Sequence, residues 1–210
     1  MQCEGPDTQF FAEIRELNLE FVELLAQARD RGEASVFGLD SGVLDAIRRL
    51  GHAQREAIAA TPCLLAGFHA GNAGAVALGV AEPLPGHHAQ WITAARLFAA
   101  GVLGYAWQMA RRDRLRAALC AGPVASMLAG KMSFREMRGT AEHALQRLEA
   151  RFHGRHRFWP DLISAARDGH AGRLDLARLT AIQLAIGELD RRDRYGARAG
   201  VHENRLSALR

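Results

Sequence analysis

Leu64-Leu65-Ala66-Gly67-Phe68-His69-Ala70-Gly71 and Leu148-Glu149-Ala150-Arg151-Phe152-His153-Gly154 are two versions of one phrase, 84 residues apart. Thr93-Ala94-Ala95-Arg96-Leu97 returns as Thr180-Ala181-Ile182-Gln183-Leu184 at a separation of 87, and Gln27 aligns with Gln108 at 81, so the offset grows by small insertions. Self-similarity at such a period predicts two copies of one structural unit. A chain of 210 residues accommodates them, since each unit would have roughly 90 to 100 residues, near the common domain size. The expected division is a first repeat over residues 8–100, a second over 101–190 and a flexible tail over 191–210.

The periodicity inside each copy is helical. Phe11, Ile14, Leu17, Phe21, Leu24 and Ala28 recur at steps of three and four, with Glu13, Arg15, Glu16, Glu20 and Glu23 on the other faces. Ser41 suits the cap of a short helix carrying Val43, Leu44, Ile47 and Leu50 and stopped by Gly51; a third helix runs from His52 to before Pro62. Residues 67–86, rich in glycine and holding Pro83 and Pro85, read as a loop with at most a short apolar element at 76–80. A helical pattern over residues 88–121 is about three times the mean helix length, with Gly101 and Gly104 as places to bend; the repeat explains it as a fusion of the last helix of one copy with the first of the next.

Pro123 suits a short helix with Val124, Met127 and Leu128. Ser133-Phe134-Arg135-Glu136 is a capping box that starts a helix expected to continue through Leu145 and Leu148. Pro160-Asp161 opens another, and after Gly169 and Gly172 a final helix spans 174–190 with Leu179, Ile182, Ile186 and Leu189 as its buried seam. No alternating segment is long enough to read as a strand, so the expected fold class is all-α, two degenerate repeats joined through a long central helix.

Composition narrows the class of function. No stretch approaches the ~18 to 20 uninterrupted apolar residues of a membrane span, and the N-terminus has no basic region followed by an apolar core; a cytoplasmic protein is expected. Cys3, Cys63 and Cys120 share no close spacing and read as reduced structural thiols. Net charge is +4, but residues 1–105 hold 7 arginines against 12 acids (−5) and residues 106–210 hold 20 basic against 11 acidic residues (+9). An acidic half joined to a basic half points the second towards a polyanion or an acidic partner. No phosphate loop, dinucleotide fingerprint or paired nucleophile and base stands out, so an enzyme is the least supported class and no cofactor is implied.

The first hundred residues resemble the bacterial flagellar regulator family FlhD. The residues that carry the resemblance are Leu17-Asn18-Leu19, Leu25-Ala26-Gln27, Glu33-Ala34-Ser35, Phe37-Gly38-Leu39, and Gln54 through Ala59-Ala60-Thr61 to Leu64-Leu65-Ala66-Gly67-Phe68. The second copy is similar from Phe134 to Phe152 and again at Thr180-Ala181-Ile182-Gln183-Leu184. The resemblance implies an all-α dimer that works with a zinc-containing FlhC subunit as a transcriptional activator, the partner carrying the main affinity for DNA. Fusion of two copies implies that the family's dimer forms within this chain as an internal pseudo-dimer, with a homodimer as the alternative. Three positions depart from the family. Phe37 matches the aromatic of a Phe-Arg pair but Gly38 replaces the arginine; the intersubunit cysteine falls at Ala66; and a C-terminal histidine falls at Leu179 in one copy and Ile92 in the other.

The candidate contact surface is Arg151-Phe152-His153-Gly154-Arg155-His156-Arg157-Phe158-Trp159. Three arginines and two histidines within seven residues suit phosphates or acidic side chains. Arg167 and Arg173 lie on the short helix and final helix that follow, an order that resembles a helix-turn-helix. Together with Phe37 these are the candidate nucleic-acid or partner contacts. His153 and His156 stand three apart, and His87, His88 and His170 could approach them, but no cysteine or carboxylate stands at the usual ligand spacing. The expected function is a transcriptional regulator subunit with an FlhC-like partner, promoter duplex DNA and RNA polymerase around it; the alternative is a helical interaction scaffold without DNA contact.

Overall fold

A computed structural model describes residues 6–28, 36–69, 86–123 and 132–207. Among them are eight α-helices: α1 (Pro6–Gln27), α2 (Ser41–Arg48), α3 (His52–Ala59), α4 (Gly86–Arg112), α5 (Arg114–Ala121), α6 (Phe134–Ala141), α7 (Phe158–Asp168) and α8 (Ala171–Ser207). A 3-10 turn (Ala144–Arg147) and two short strands, β1 (Ala66–Phe68) and β2 (Leu148–Ala150), complete the order. The all-α class therefore holds, with one small ribbon added. The Glu33-Ala34-Ser35 match, the apolar element expected at 76–80 and the short helix expected after Pro123 lie outside the described residues.

The added ribbon is built from the repeated phrase. β1 and β2 pair antiparallel, with Ala66 opposite Ala150, Gly67 opposite Glu149 and Phe68 opposite Leu148. Arg151 N donates to Leu65 O at 2.7 Å and His69 N to Arg147 O at 3.1 Å, which carries the ladder past both ends. Its outer edges are taken as well: Ala150 N donates to Phe37 O and Leu64 N to Cys120 O, each at 2.8 Å. Three-residue strands survive here because these outward backbone groups find partners and the ribbon is buried in the helical body.

α1 packs on α2, α3 and α4; α7 lies between α8, α3 and α2; α5 bridges α4 and α8. Phe21, at the centre of the core, stacks on Phe98 of α4 at 5.5 Å and meets Trp159 of α7 edge-on at 6.5 Å. Asn18 fixes the path into β1. Its Nδ2 faces the carbonyls of Ala59, Thr61 and Cys63 at 3.2, 3.1 and 3.0 Å, and its Oδ1 accepts from Leu65 N at 2.8 Å. This side chain is fully buried, so each of those groups would otherwise be stranded without water.

Several local expectations are corrected. Asp40, not Ser41, caps α2, its Oδ1 accepting from Val43 N at 2.8 Å. The long central helix breaks at Asp113 rather than at Gly101 or Gly104, which both lie inside α4. Asp113 leaves helical geometry at φ −151° and caps α5 by accepting from Arg116 N at 3.0 Å, a local bond that competes with helix continuation. The Ser133–Glu136 capping box forms, but α6 stops at Ala141, because Leu148 to Ala150 are drawn into the ribbon. The last helix starts earlier and runs further than expected, to Ser207, through the segment read as a tail.

Candidate functional site: the basic turn between β2 and α7

The chain leaves β2 through a turn held by its own backbone. Phe152 adopts φ 63°, an unusual conformation for a residue with a Cβ, and packs edge-on against Phe158 at 4.9 Å. His153 N and Nδ1 both face Ala150 O, at 3.2 and 2.8 Å; Arg155 N donates to Phe152 O and Phe158 N to Arg155 O. Trp159 Nε1 closes the frame by donating to Arg151 O at 3.0 Å. The result is a braced turn that leaves His153, Arg155, His156 and Arg157 exposed.

Arg151 does not belong to that surface. Its side chain is 4% exposed and points between α5 and α8, where Nε and Nη2 donate to Glu188 Oε2 at 3.0 and 2.8 Å and Nη1 donates to Cys120 O at 2.8 Å. Its guanidinium also lies over the Phe152 ring at 4.8 Å. This correction has a geometric cause. Arg151 N is committed to the strand ladder, which sends the side chain inward, whereas the polar residues after Phe152 follow the reversal outward.

The remaining arginines form two groups at opposite ends of α7, which separates them by roughly 15 Å at 1.5 Å per residue. At the start, Arg157 lies 3.7 Å from Asp161. At the end, Arg167 and Arg173 share Asp168 at 3.4 and 2.8 Å. Four exposed arginines (155, 157, 167 and 173) against two aspartates leave a net charge of +2 over this surface. α7, the left-handed Gly169 at φ 65° and α8 do make a helix-turn-helix connection. Its second helix, however, exposes Leu176, Leu179, Ile182 and Ile186 at 65, 56, 39 and 47%, not a row of polar groups suited to base edges. The expected seam is thus turned outward. The buried face is Leu174, Ala177, Ala181 and Ala185, whose mostly small side chains let α8 approach its neighbours closely.

Phe37 is a packing residue. At φ 52° it stacks on Trp91 and lies against Phe21, each at 5.9 Å. The adjoining Gly38 has φ 84°, and a Cβ there would stand 2.7 Å from the His153 ring, so neither arginine nor any other side chain fits. Behind the ribbon, a cavity of about 240 Å³ is bounded by Gly67, Gly122, Glu149, Arg151, Glu188 and Arg191 among others. Burial raises the Glu149 carboxyl above its ordinary range, an effect that His153 and His69 partly oppose. Burial also pushes the Cys63 thiol up to about 11 and raises that of Cys120, so neither is an activated nucleophile.

Among the described residues no group of three or more His, Cys, Asp or Glu is placed to hold a metal ion. Within them, too, no helix is long and apolar enough to cross a membrane. Comparison with protein-family models, curated proteins and solved structures finds no match to this chain.

Proposed function

We propose that the chain is a non-enzymatic regulator subunit of FlhD type, two fused repeats that pair internally and act in a complex with an FlhC-like partner at a promoter. The observation that carries this reading is the register of the ribbon. Ala66 and Ala150 occupy equivalent places in the two phrases and lie directly opposite each other. Self-equivalent residues meet in this way across a two-fold axis, as in an isologous dimer. Ala66 is also where the family's intersubunit cysteine falls, so an alanine pair takes the place of a covalent link.

Other features recur at or near the same offset. Gly38 and Gly122, 84 residues apart, both have positive φ, at 84° and 89°. Gly51 and Ser133, 82 apart, each precede a short helix and each donate a backbone N–H to a side chain three residues on, Gln54 and Glu136. Each of those helices leads into a strand of the ribbon.

In this reading Arg155, His156 and Arg157 face the DNA backbone while the partner carries most of the affinity, which suits a net charge of only +2. Fluorescence anisotropy on labelled promoter duplex, with the chain alone and with an FlhC-like subunit, tests it. Arg155→Ala plus Arg157→Ala is expected to lower the slope of log affinity against log salt by about 2, close to one for each phosphate no longer neutralised. Salt-insensitive or absent binding in every such assembly overturns the DNA reading. A second reading, a cytoplasmic adaptor that has kept the scaffold and lost its hold on DNA, is favoured by the burial of Arg151 and by the aspartates beside Arg157, Arg167 and Arg173. Recovery from native cells, after nuclease treatment, of an FlhC-like subunit or RNA polymerase supports the first; recovery of unrelated proteins alone supports the second.

A further inference from the structure

We propose that the end of α4 and the start of α6 form a binding surface for single-stranded nucleic acid. Trp107 and Arg111 stand four residues apart on α4, and Phe134 and Arg138 four apart on α6, so each aromatic ring shares a helix face with an arginine. The fold brings the two pairs side by side. The Trp107 and Phe134 rings meet at 6.0 Å with a tilt of 56°, and the Arg111 guanidinium lies over the Trp107 ring at 5.1 Å. Trp107 Nε1 donates to Met132 O at 3.0 Å, which fixes its ring where the chain enters α6. Phe134 is 59% exposed, and no residue of α6 is buried. Arg112 and Arg135, each the next residue along its helix, add to the charge.

Charge and shape together select the ligand. Residues 107–138 hold seven basic residues against two acids (+5), more than half of the excess carried by the basic half of the chain. Arg111, Arg112, Arg135 and Arg138 are exposed and make no ion pair among the described residues, in contrast to Arg157, Arg167 and Arg173. The two acids are committed to helix starts, Asp113 Oδ1 accepting from Arg116 N and Glu136 Oε2 from Ser133 N. Residues 124–131, which precede this helix in the chain, contribute Lys131 and no acid. An exposed aromatic ring set among unpaired cations suits a ligand that offers both anions and flat faces. An acidic protein segment supplies the anions without the faces, and a duplex keeps its faces stacked inside. A single strand supplies both, its phosphates to the arginines and an unstacked base to Phe134. The proposal goes beyond the promoter reading and uses none of the basic turn between β2 and α7.

Fluorescence anisotropy of the full chain with labelled oligothymidylate of about 12 nucleotides, within the usual span of single-strand sites, and with a duplex of equal length tests this. Oligothymidylate is expected to bind more tightly than duplex at about 50 mM salt, with affinity falling as salt rises. Phe134→Ala is expected to weaken it about tenfold at an unchanged salt slope, and Phe134→Trp to retain it, because the ring supplies stacking and no charge. Arg112→Ala plus Arg135→Ala is expected to lower the slope by about 1.4, about 0.7 for each phosphate released. These variants should keep the wild-type circular dichroism, since the altered side chains are exposed. Arg155→Ala plus Arg157→Ala is expected to leave oligothymidylate binding unchanged, which separates this surface from the promoter reading. Absence of oligothymidylate binding at about 100 µM protein, which puts dissociation above the micromolar range, overturns the proposal even where duplex still binds through the basic turn. So does Phe134→Ala without effect, duplex bound as tightly as the single strand, or loss of oligothymidylate binding in the Arg155 and Arg157 variant. Polyglutamate that displaces the oligonucleotide as well as unlabelled oligothymidylate does would also overturn it and mark an acidic protein as the partner.

Discussion

Replacing Arg151 by methionine removes the only fully buried charge among the described residues and keeps much of its apolar stem volume. Glu188 is then without both guanidinium bonds and the Cys120 carbonyl without its charged donor. Breaking a buried ion pair from one side costs about 3 to 5 kcal/mol. Glu188 keeps 22% exposure and regains some water, which favours the lower end, about 3 kcal/mol. Urea unfolding followed by tryptophan fluorescence is a direct assay, because Trp159 is hydrogen-bonded to the Arg151 carbonyl. With a slope of about 2 kcal/mol per molar, the midpoint falls by about 1.5 M. Glu188→Gln should cost less, and the double variant should recover part of the stability because it leaves no charge stranded. A destabilisation below about 1 kcal/mol with an unchanged slope, well under the cost of a broken buried pair, would refute the reasoning. A fall in DNA affinity at unchanged stability would do so too, by placing Arg151 on the surface after all.

Asn18→Ala should cost about 2 to 4 kcal/mol in the same assay, because it strands the buried Leu65 N–H and three carbonyls; an effect under about 1 kcal/mol would mean water takes over the site. Gly38→Ala should destabilise by about 1 to 3 kcal/mol through both its positive φ and the His153 ring. His153→Ala should recover part of that stability but none of what Gly122→Ala removes, because at Gly122 the nearest side-chain atom is 3.6 Å from the Cβ; equal recovery at both glycines would contradict the packing. For Glu149 the raised folded pKa means that its stabilising contribution is present below the unfolded value and is lost as pH rises through the folded one. Glu149→Gln should therefore be more stable than wild type at neutral pH, with the gap closing as pH falls below the ordinary carboxylate range. A gap that widens in acid would reverse the sign and reject the burial argument.

Most helices are legible in the sequence because their signals are local. The stripe of α1, the Ser133–Glu136 box and the stop at Gly169 each depend on residues within a turn or two of one another. The break at Asp113 escapes a sequence reading although its residue type favours a cap, because the apolar pattern runs on through α5 and periodicity alone cannot register a cap inside it. On the candidate surface, Arg155, His156 and Arg157 stand out from composition. Arg151 falls in with them only while neighbours in sequence are taken as neighbours in orientation, and a strand end followed by a left-handed Phe152 separates the two.

By itself the sequence determined the helical class, the presence of most helices, the starts of α3 and α6 and the similarity of the two phrases, since capping and periodicity act over a few residues of chain. Only the tertiary structure decided that those phrases form a ribbon, that Arg151 turns inward and that α8 buries alanines while its larger apolar residues face out. A three-residue strand has too little length to show alternation, and it exists only because a partner 84 residues away supplies its hydrogen bonds. α8 carries two apolar rows about one residue apart, and which of them is buried depends on the close approach of α7 and α5, which no local pattern encodes.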